Sequence, residues 1–276
     1  TSLTPHRRYD TRRSYFDLKA DQPIPHLTPD TIESETILVT THAYGIPPSA
    51  DTLTLLERRK NLVFFDGAHA LGVTINEKPV LSFGDAAVIS LHPTKGVTAA
   101  EGGAIVTDHE WLATQLKHIS RPILTSKNNM LSKFATNVRM SELNALYAFL
   151  SLDKLTIGIE KRRQLHDLYT KHLNGYALNL EPETIKSNFL YCILDAGSPY
   201  QRDVFQKALS ASNIASRAYF SEQTINFCDI NISNFPNIKN WSQRLLAVPL
   251  HHEMSDEDVI YISNVIKEAI IRNVGN

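Results

Sequence analysis

A lysine and an aspartate each follow an apolar run that is short enough to be a buried strand. Lys95 comes soon after the run at residues 86–91, and Asp66 directly follows the run at residues 62–65. A lysine amine that is shielded from water loses its proton more easily and can then form a Schiff base with an aldehyde. A buried carboxylate, in turn, needs a cationic partner. Together they provide what a pyridoxal phosphate enzyme needs, an amine for the aldehyde and a counter-ion for the pyridinium nitrogen.

Other polar side chains near this pair could contribute, although each also has a purely structural alternative. His69 lies in a run of small residues, 66–72, that would let a flat ligand approach the backbone, but it could equally be a hydrogen-bonded core histidine. Ser90 could satisfy a strand end, Asp66 could cap the next turn, and Lys95 could be a solvated lysine. Taken singly, each residue favours its structural role. As an ordered set, they favour cofactor chemistry.

The elements that must position these residues alternate in type from residue 37 onward. Short β-branched or aromatic runs are separated by helical stretches, which predicts an α/β sheet that is mostly parallel. Such sheets bind ligands beyond the carboxyl ends of their strands, where Asp66 and Lys95 are expected. The predicted strands are residues 37–40, 62–65, 86–91 and 103–107, and the predicted helices are residues 51–60 and 109–119.

The second half of the chain has a different pattern. Helical spacing from Ser141 to about Leu173 predicts one long helix that bridges two domains. A closing helix is expected from Ser255, which forms a capping-box pattern with Asp258. We therefore predict a cofactor-binding large domain at residues 1–155 and a small α+β domain at residues 156–276. Between those helices we expect an apolar run at 189–194, a helix at 200–211, a strand at 217–220 and an Asn-rich loop at 221–239.

Composition excludes several classes of protein. The 276 residues carry 28 Lys plus Arg against 29 Asp plus Glu, and the net charge of −1 gives no general attraction to nucleic acid or anionic lipid. No apolar run approaches the ~20 residues that span a bilayer, and residues 1–10 lack the apolar core of a signal peptide. Cys192 and Cys228 suit a reducing compartment better than a disulfide framework. We expect a cytoplasmic protein that binds neither nucleic acid nor membrane.

The sequence also lacks the motifs that are typical of metal sites and of nucleotide-binding loops. The pairs His251-His252 and His166/His172 have no carboxylate or thiol at ligand spacing, so no metal is expected. The chain has no Gly-x-Gly-x-x-Gly after a strand and no Gly-Lys-Ser/Thr loop, which argues against nicotinamide dehydrogenases and nucleotide hydrolases.

Four motifs between residues 63 and 107, in matching order and spacing, resemble the DegT/DnrJ/EryC1/StrS family of nucleotide-sugar aminotransferases. Two later segments, at 137–143 and 249–251, resemble further family signatures. The resemblance implies an α/β, aspartate-aminotransferase-like (fold type I) structure, with a three-layer αβα large domain and a smaller C-terminal α+β domain. The four motifs are Asp66-Gly67-Ala68-His69-Ala70-Leu71-Gly72, Ser82-Phe83-Gly84-Asp85-Ala86-Ala87, Ser90-Leu91-His92-Pro93-Thr94-Lys95 and Glu101-Gly102-Gly103-Ala104.

The resemblance assigns cofactor roles to five residues. Lys95 would bind the aldehyde of pyridoxal 5'-phosphate and later shuttle a proton between cofactor and substrate carbons. Asp66 would keep the pyridinium protonated. His69 would reach the phenolic oxygen, Ala68 would pack beneath the ring, and Ser90 would donate to the phosphate.

The resemblance also assigns residues to the substrate and to a second subunit. Asn137 would contact the phosphate from the other subunit, which implies a homodimer with shared active sites. Arg139 would meet the substrate's pyrophosphate, although it could simply pair with Glu142. His92 would lie near the reacting sugar, as a second catalytic residue.

The implied activity is transfer of an amino group from an amino acid, L-glutamate in most of the family, to a keto carbon of a nucleotide-linked deoxysugar. Such a reaction serves surface polysaccharide or glycoconjugate biosynthesis. Residues 101–103 favour carbon 4 over carbon 3, and Lys95 disfavours the dehydratase branch, which has histidine there.

One family feature has no counterpart before residue 37, namely a Gly-Thr or Gly-Ser turn that binds the cofactor phosphate at a helix start. The residues there include Arg7-Arg8 and Arg12-Arg13 but no glycine. These arginines could replace the phosphate site or form a solvated basic tail. Three explanations of the missing turn are compatible with the sequence. The sequence could be a fragment, a segment could have been omitted from it, or the protein could be a shortened relative with impaired cofactor affinity. A non-catalytic interaction protein that retains the fold is therefore the alternative function.

Overall fold

A four-stranded sheet lies in the first half of the chain. The structure is a computed structural model, and it describes residues 15–25, 27, 32, 36–58, 60–120, 135–178, 185–220 and 231–274. The strands in these ranges are β1 (Leu38–Thr41), β2 (Val63–Asp66), β3 (Thr74–Ile75), β4 (Lys78–Pro79), β5 (Ala86–Ser90), β6 (Gly103–Val106), β7 (Ile185–Lys186), β8 (Cys192–Asp195) and β9 (Leu245–Val248). The helices are α1 (Ala50–Glu57), α2 (Glu110–Ser120), α3 (Glu142–Leu152), α4 (Leu155–His172), α5 (Pro199–Ala211), α6 (Pro236–Arg244) and α7 (Asp256–Val274).

The large sheet has the order β1-β2-β5-β6. Strands β1, β2 and β5 are parallel, with Thr41 beside Asp66 and Asp66 beside Val88, whereas β6 runs antiparallel to β5. Because the three parallel strands end at the same edge, the residues that follow them are brought together there. The mostly parallel sheet expected from the alternating runs is confirmed.

One face of this sheet forms a core with α1. In β2, Val63 and Phe65 point inward and are buried, as the alternation of a strand requires. They pack with Leu53 and Leu56 of α1 in one apolar cluster. Helix α1 begins after Ser49, whose hydroxyl accepts a hydrogen bond from the Thr52 N–H.

The opposite face of the sheet exposes apolar side chains in the part of the chain that the structure describes. Val39, Val88 and Ile105 are 41%, 49% and 48% exposed. Val88 and Ile105 are direct neighbours in the β5–β6 register. Helix α3 is similar, since it buries no residue within the described ranges. Apolar surface of this extent is typical of surfaces that other protein elements cover.

The second half of the chain packs around α4, α5 and α7 beside the antiparallel pair β8–β9. Leu165 and Tyr169 of α4 meet Val259 and Ile266 of α7 in the largest apolar cluster of the described residues. The predicted capping box at the start of α7 is confirmed, because Ser255 and Asp258 exchange backbone-to-side-chain hydrogen bonds of 2.8 and 3.1 Å. The domain boundary at residues 155/156 stays a prediction.

Three predicted elements differ from the structure. The long helix expected from 141 to 173 is divided into α3 and α4 by a turn at Asp153 and Lys154. The loop expected through residue 239 already becomes helix α6 at Pro236, a residue suited to the first helical position. The strand expected at 217–220 is reduced to a single bridge between Arg217 and Ala247.

Some predictions fall outside the described residues. They concern the arginines at positions 7, 8, 12 and 13, Cys228, and the first part of the Asn-rich segment, residues 221–230. Within the described ranges, every helix is too short or too polar to cross a lipid bilayer.

Candidate active site

Asp66 is the last residue of β2 and has two roles at the sheet edge. Its Oδ1 accepts a hydrogen bond of 3.1 Å from the N–H of Ala68, so it caps the turn that follows the strand. Its negative charge also acts on the amine of Lys95 and favours the protonated form of that lysine. The structural and functional interpretations of Asp66 are therefore compatible.

Lys95 lies in the turn that follows β5, where its backbone N–H donates to the carbonyl oxygen of His92 at 2.9 Å. The side chain is partly buried. Desolvation lowers the pKa of Lys95, the nearby Asp66 opposes this shift, and the positive charge of Arg217 adds to it. The neutral, nucleophilic amine is thus more abundant at a given pH than in a solvated lysine.

His69 is fixed at both ring nitrogens. Its Nδ1 accepts the backbone N–H of Tyr44 at 3.2 Å, so the ring proton of the neutral form is on Nε2. Nε2 lies 3.2 Å from the hydroxyl oxygen of Tyr191. Burial, with a further contribution from the positive charge of Lys95, lowers the pKa of His69 to about 4. The imidazole is therefore neutral at physiological pH and offers an N–H at the sheet edge.

The backbone around His69 is held by Asn188, which lies 119 residues away in the sequence. The side-chain amide of Asn188 donates to the carbonyl oxygens of His69 and Leu71 at 2.8 and 3.0 Å. Gly45, with φ +83°, permits this arrangement, because a Cβ there would lie 2.8 Å from the His69 carbonyl oxygen. The position of His69 thus depends on a buried amide from the second half of the chain.

Arg162 of α4 connects this support to the Lys95 turn. It is only 3% exposed, and its Nε donates to the carbonyl oxygen of Asn188 at 3.1 Å. A Cβ added to Gly96 would lie 3.3 Å from its Nη2, so the guanidinium packs against the residue that follows Lys95. Burial lowers the pKa of Arg162. Sequence reasoning missed Arg162 and Asn188, since neither belongs to a motif near the lysine.

Ser90 and His92 lie on the exposed side of the Lys95 turn. The Ser90 hydroxyl accepts the N–H of His92 at 3.4 Å, and His92 Nδ1 lies 2.9 Å from the Thr94 hydroxyl. The other ring nitrogen of His92 is 4.0 Å from a carboxylate oxygen of Glu101. Both residues are therefore at the edge where Lys95 lies, and His92 is open to solvent.

Asn137 and Arg139 lie in an exposed segment without regular structure that precedes α3. The segment packs against the loop after Lys95, because a Cβ on Gly102 would lie 2.6 Å from the Cε of Met140. Asn144, at the start of α3, donates to the Glu101 carbonyl oxygen at 2.9 Å. The contacts of the described residues join this segment to residues 101–102, and none joins Asn137 or Arg139 to Lys95.

Aromatic side chains from both halves of the chain form a wall beside His69. Tyr191 lies with its ring centroid 5.8 Å from that of Tyr44 and 5.3 Å from that of Tyr219. The guanidinium of Arg217 lies 4.7 Å from the Tyr219 ring centroid. Sequence reasoning assigned Arg217 to a strand and gave the tyrosines no role. No residue spacing links them to the lysine motif.

The groups at this edge fit pyridoxal phosphate. A carboxylate acts on an amine of lowered pKa across the ends of neighbouring strands, and a neutral imidazole N–H lies beside them. Ala68 provides a small side chain next to the carboxylate. The ranges that the structure describes contain no group of three or more His, Cys, Asp or Glu side chains that could hold a metal ion.

The comparison with known families gives a match to the DegT/DnrJ/EryC1/StrS aminotransferase family over residues 13–267. The dTDP-4-amino-4,6-dideoxy-D-glucose transaminase of Shigella dysenteriae is 28% identical over 252 residues, which is 88% of this chain and 67% of that protein. Alignments with three curated relatives cover 61–67% of their lengths, so this chain spans about two thirds of them or less.

Solved structures agree with this assignment. DesI, determined with its TDP-sugar product, is 27% identical, with a TM-score of 0.80 over 93% of this chain and 69% of DesI. Spr1654 from Streptococcus pneumoniae, in its PLP form, has a TM-score of 0.84 over 97% of this chain and 77% of Spr1654. Because the identity is 22%, this similarity supports the fold only. The expected fold type I α/β architecture is confirmed. Since the family match extends over most of the sequence, the chain belongs to the DegT/DnrJ/EryC1/StrS aminotransferase family.

Proposed function

We propose that this protein is a pyridoxal-phosphate-dependent aminotransferase that acts on a nucleotide-linked keto sugar. The observation that carries the proposal is the placement of Lys95 and Asp66 at the same carboxyl edge of the sheet, where the negative charge of Asp66 acts on the amine of Lys95. This pair supplies both the amine and the counter-ion that the cofactor requires. The names of the relatives, which are sugar transaminases, support the same reaction class.

Pyridoxal phosphate, when bound, supplies an electron sink that allows an amino group to pass from one carbon to another. Lys95 would bind the cofactor's aldehyde carbon and, once released, carry a proton between cofactor and substrate carbons. Its lowered pKa suits both tasks, because a neutral amine can attack a carbonyl carbon and accept a proton.

The remaining cofactor residues would orient the ring. Asp66 would keep the ring nitrogen protonated while it caps its own turn. The Nε2–H of His69 would be available to the phenolic oxygen, with Tyr191 as its present partner. Ala68 would pack beneath the ring, and the hydroxyl of Ser90 would donate to the phosphate.

The substrate assignment rests on exposed residues. Arg139, a planar cation near the loop at 101–103, would bind the pyrophosphate of the nucleotide sugar, and His92 would lie near the reacting sugar. We propose amination at carbon 4 with L-glutamate as donor, in the synthesis of surface polysaccharides or glycoconjugates. Amination at carbon 4 agrees with the name of the Shigella relative, a dTDP-4-amino-4,6-dideoxy-D-glucose transaminase. We further propose that the reaction takes place in the cytoplasm.

We also propose a homodimer in which Asn137 reaches the cofactor phosphate of the partner subunit. The surface of α3 supports this proposal, because Leu143, Leu146 and Phe149 are 79%, 54% and 64% exposed. Asn137 itself is exposed in the segment just before this helix. Burial of α3 against a second copy would remove apolar surface from water and place Asn137 at the interface.

The proposed function is tested by supplying the purified protein with pyridoxal phosphate, L-glutamate and a panel of nucleotide-linked keto sugars. We expect an amino sugar and 2-oxoglutarate, identified by mass, with at least one 4-keto sugar. Lys95→Ala should fold normally and give no product. Absence of product with every sugar, from protein that binds the cofactor, would refute the sugar aminotransferase assignment. Protein that never takes up cofactor would favour a non-catalytic interaction protein.

A further inference from the structure

Arg217 is a cation that the backbone holds beside the candidate site. Its N–H and carbonyl oxygen exchange hydrogen bonds of 3.0 and 2.9 Å with Ala247 of β9. Its guanidinium stacks over the Tyr219 ring, 4.7 Å from the centroid. Arg217 is exposed, and it forms no ion pair with a carboxylate of the described residues. A guanidinium in this setting is available to an anion.

Contacts connect this guanidinium to the catalytic edge. The ring of Tyr219 lies 5.3 Å from that of Tyr191, and the Tyr191 hydroxyl lies 3.2 Å from Nε2 of His69. Desolvation lowers the pKa of Lys95, and the positive charge of Arg217 adds to that shift. Burial raises the pKa of Tyr191, and the same charge partly opposes that rise. Arg217 is therefore close enough to influence the amine that would react.

The phenol of Tyr191 can add a hydrogen bond to such an anion. Burial raises the pKa of Tyr191, so its hydroxyl keeps its proton at physiological pH. Tyr191 is only partly buried, so solvent reaches part of its side chain. A planar guanidinium and a neutral hydroxyl are together a common arrangement for binding a carboxylate.

The chemistry of the two substrates decides which anion would lie here. In an amino-acid donor, the α-carboxylate is bonded directly to the carbon that carries the amine, and that carbon must come to Lys95. In a nucleotide sugar, the sugar ring separates the keto carbon from the pyrophosphate. A cation whose charge reaches Lys95 is thus better placed for the donor's carboxylate.

We propose that Arg217, assisted by the hydroxyl of Tyr191, binds the α-carboxylate of the amino-acid donor. The inference rests on the proposed aminotransferase function and adds a binding site for its first substrate. It makes Arg217 a specificity-determining residue that selects amino acids over amines without a carboxylate.

Kinetic comparison of Arg217→Ala and Arg217→Lys with the unchanged holoenzyme tests this assignment. In single-turnover reactions with L-glutamate, followed by the cofactor's absorbance, Arg217→Ala should raise the half-saturating glutamate concentration at least about tenfold, with a smaller increase for Arg217→Lys. The KM for the nucleotide sugar should not change. Arg202→Ala is the matched control, because Arg202 pairs with Asp203 on α5, and it should leave both constants unchanged.

A binding measurement makes the outcome independent of turnover. Glutarate, which has carboxylates but no amine, should shift the side-chain Nε–H NMR signal of Arg217 in the wild-type protein, and the Arg202 signal should not move. An unmoved Arg217 signal, an unchanged glutamate constant in Arg217→Ala, or a defect that falls on the nucleotide sugar instead would each overturn the proposal. If Lys95 binds no cofactor, the proposed function fails, yet the glutarate titration still decides whether Arg217 binds carboxylate.

Discussion

The hydroxyl of Tyr191 lies 3.2 Å from Nε2 of His69, although the two residues are 122 positions apart in the sequence. His69 comes from the loop after β2, and Tyr191 directly precedes β8. Since the backbone N–H of Tyr44 donates to the other ring nitrogen, the imidazole has one tautomer and a fixed orientation. The candidate site is thus assembled where the two halves of the chain meet.

Asp66→Asn separates the carboxylate's charge from its role in the turn. The Asn oxygen can still accept the Ala68 N–H, so we expect the free energy of unfolding to change by less than about 0.5 kcal/mol. Without the negative charge, affinity for pyridoxal phosphate should fall at least about tenfold. Absorbance titration with the cofactor measures this, and urea unfolding provides the control. Unchanged affinity would contradict the pairing of Asp66 with the ring.

The buried side chain of His42 should make the stability of the fold sensitive to acid. Its ring is fully buried and stacks on Phe65 at 4.7 Å, and neither nitrogen has a hydrogen-bond partner among the described residues. Burial lowers its pKa from 6.5 to about 4. The unfolded chain therefore binds a proton first, and the folded state loses up to about 3 kcal/mol of stability as the pH falls from about 6.5 to 4.

Urea unfolding at pH 7.5 and pH 5 tests this acid sensitivity. His42→Phe, which keeps a stacked ring, should lose less stability between the two pH values than the wild-type protein. His252→Gln, a change at an exposed histidine, should behave like the wild type. The prediction is wrong if His42→Phe and the wild type show the same dependence on pH.

Asn188→Ala should destabilise the protein by about 2–4 kcal/mol. The change removes three hydrogen bonds from a residue that is 3% exposed. It leaves the carbonyl oxygens of His69 and Leu71 without that donor and the N–H of Leu190 without that acceptor. Denaturant midpoints measure the loss. Asn144→Ala, which removes exposed hydrogen bonds to Glu101 and Ser141, should cost less than about 1 kcal/mol. Equal effects of the two changes would show that the buried amide has no special role.

Leu146→Glu should convert the proposed dimer to a monomer without unfolding it. Leu146 is 54% exposed on α3, a helix with no buried residue in the described ranges, so a charge there does not disturb the core. Analytical ultracentrifugation measures the mass, and circular dichroism monitors the fold. Ile271→Glu is the matched control, since Ile271 is exposed on α7 and should leave the dimer intact. A wild-type protein that is monomeric at micromolar concentration would refute the dimer.

Local patterns were enough to predict the residues that lie at strand ends. Asp66 and Lys95 follow apolar runs, and the parallel order of β1, β2 and β5 brings their carboxyl ends to one edge. The capping box of Ser255 and Asp258 was equally readable, because capping depends on residues three apart.

Tertiary contacts determine what the sequence patterns could not predict. Arg162 and Asn188 acquire their roles only through packing on loops more than 60 residues earlier in the chain. The break between α3 and α4 falls at Asp153 and Lys154, where the chain has neither proline nor glycine, so it has no clear signal. Strands β3, β4 and β7 have two residues each and exist through pairing with one another, which no local pattern encodes.

Reduction of the cofactor-loaded protein with borohydride, followed by peptide mass spectrometry, tests the central claim most directly. We expect the phosphopyridoxyl mass on the peptide that contains Lys95, on that lysine alone, and none after Lys95→Ala. Modification spread over several exposed lysines, or a peptide with unmodified Lys95 from fully loaded protein, would contradict the account.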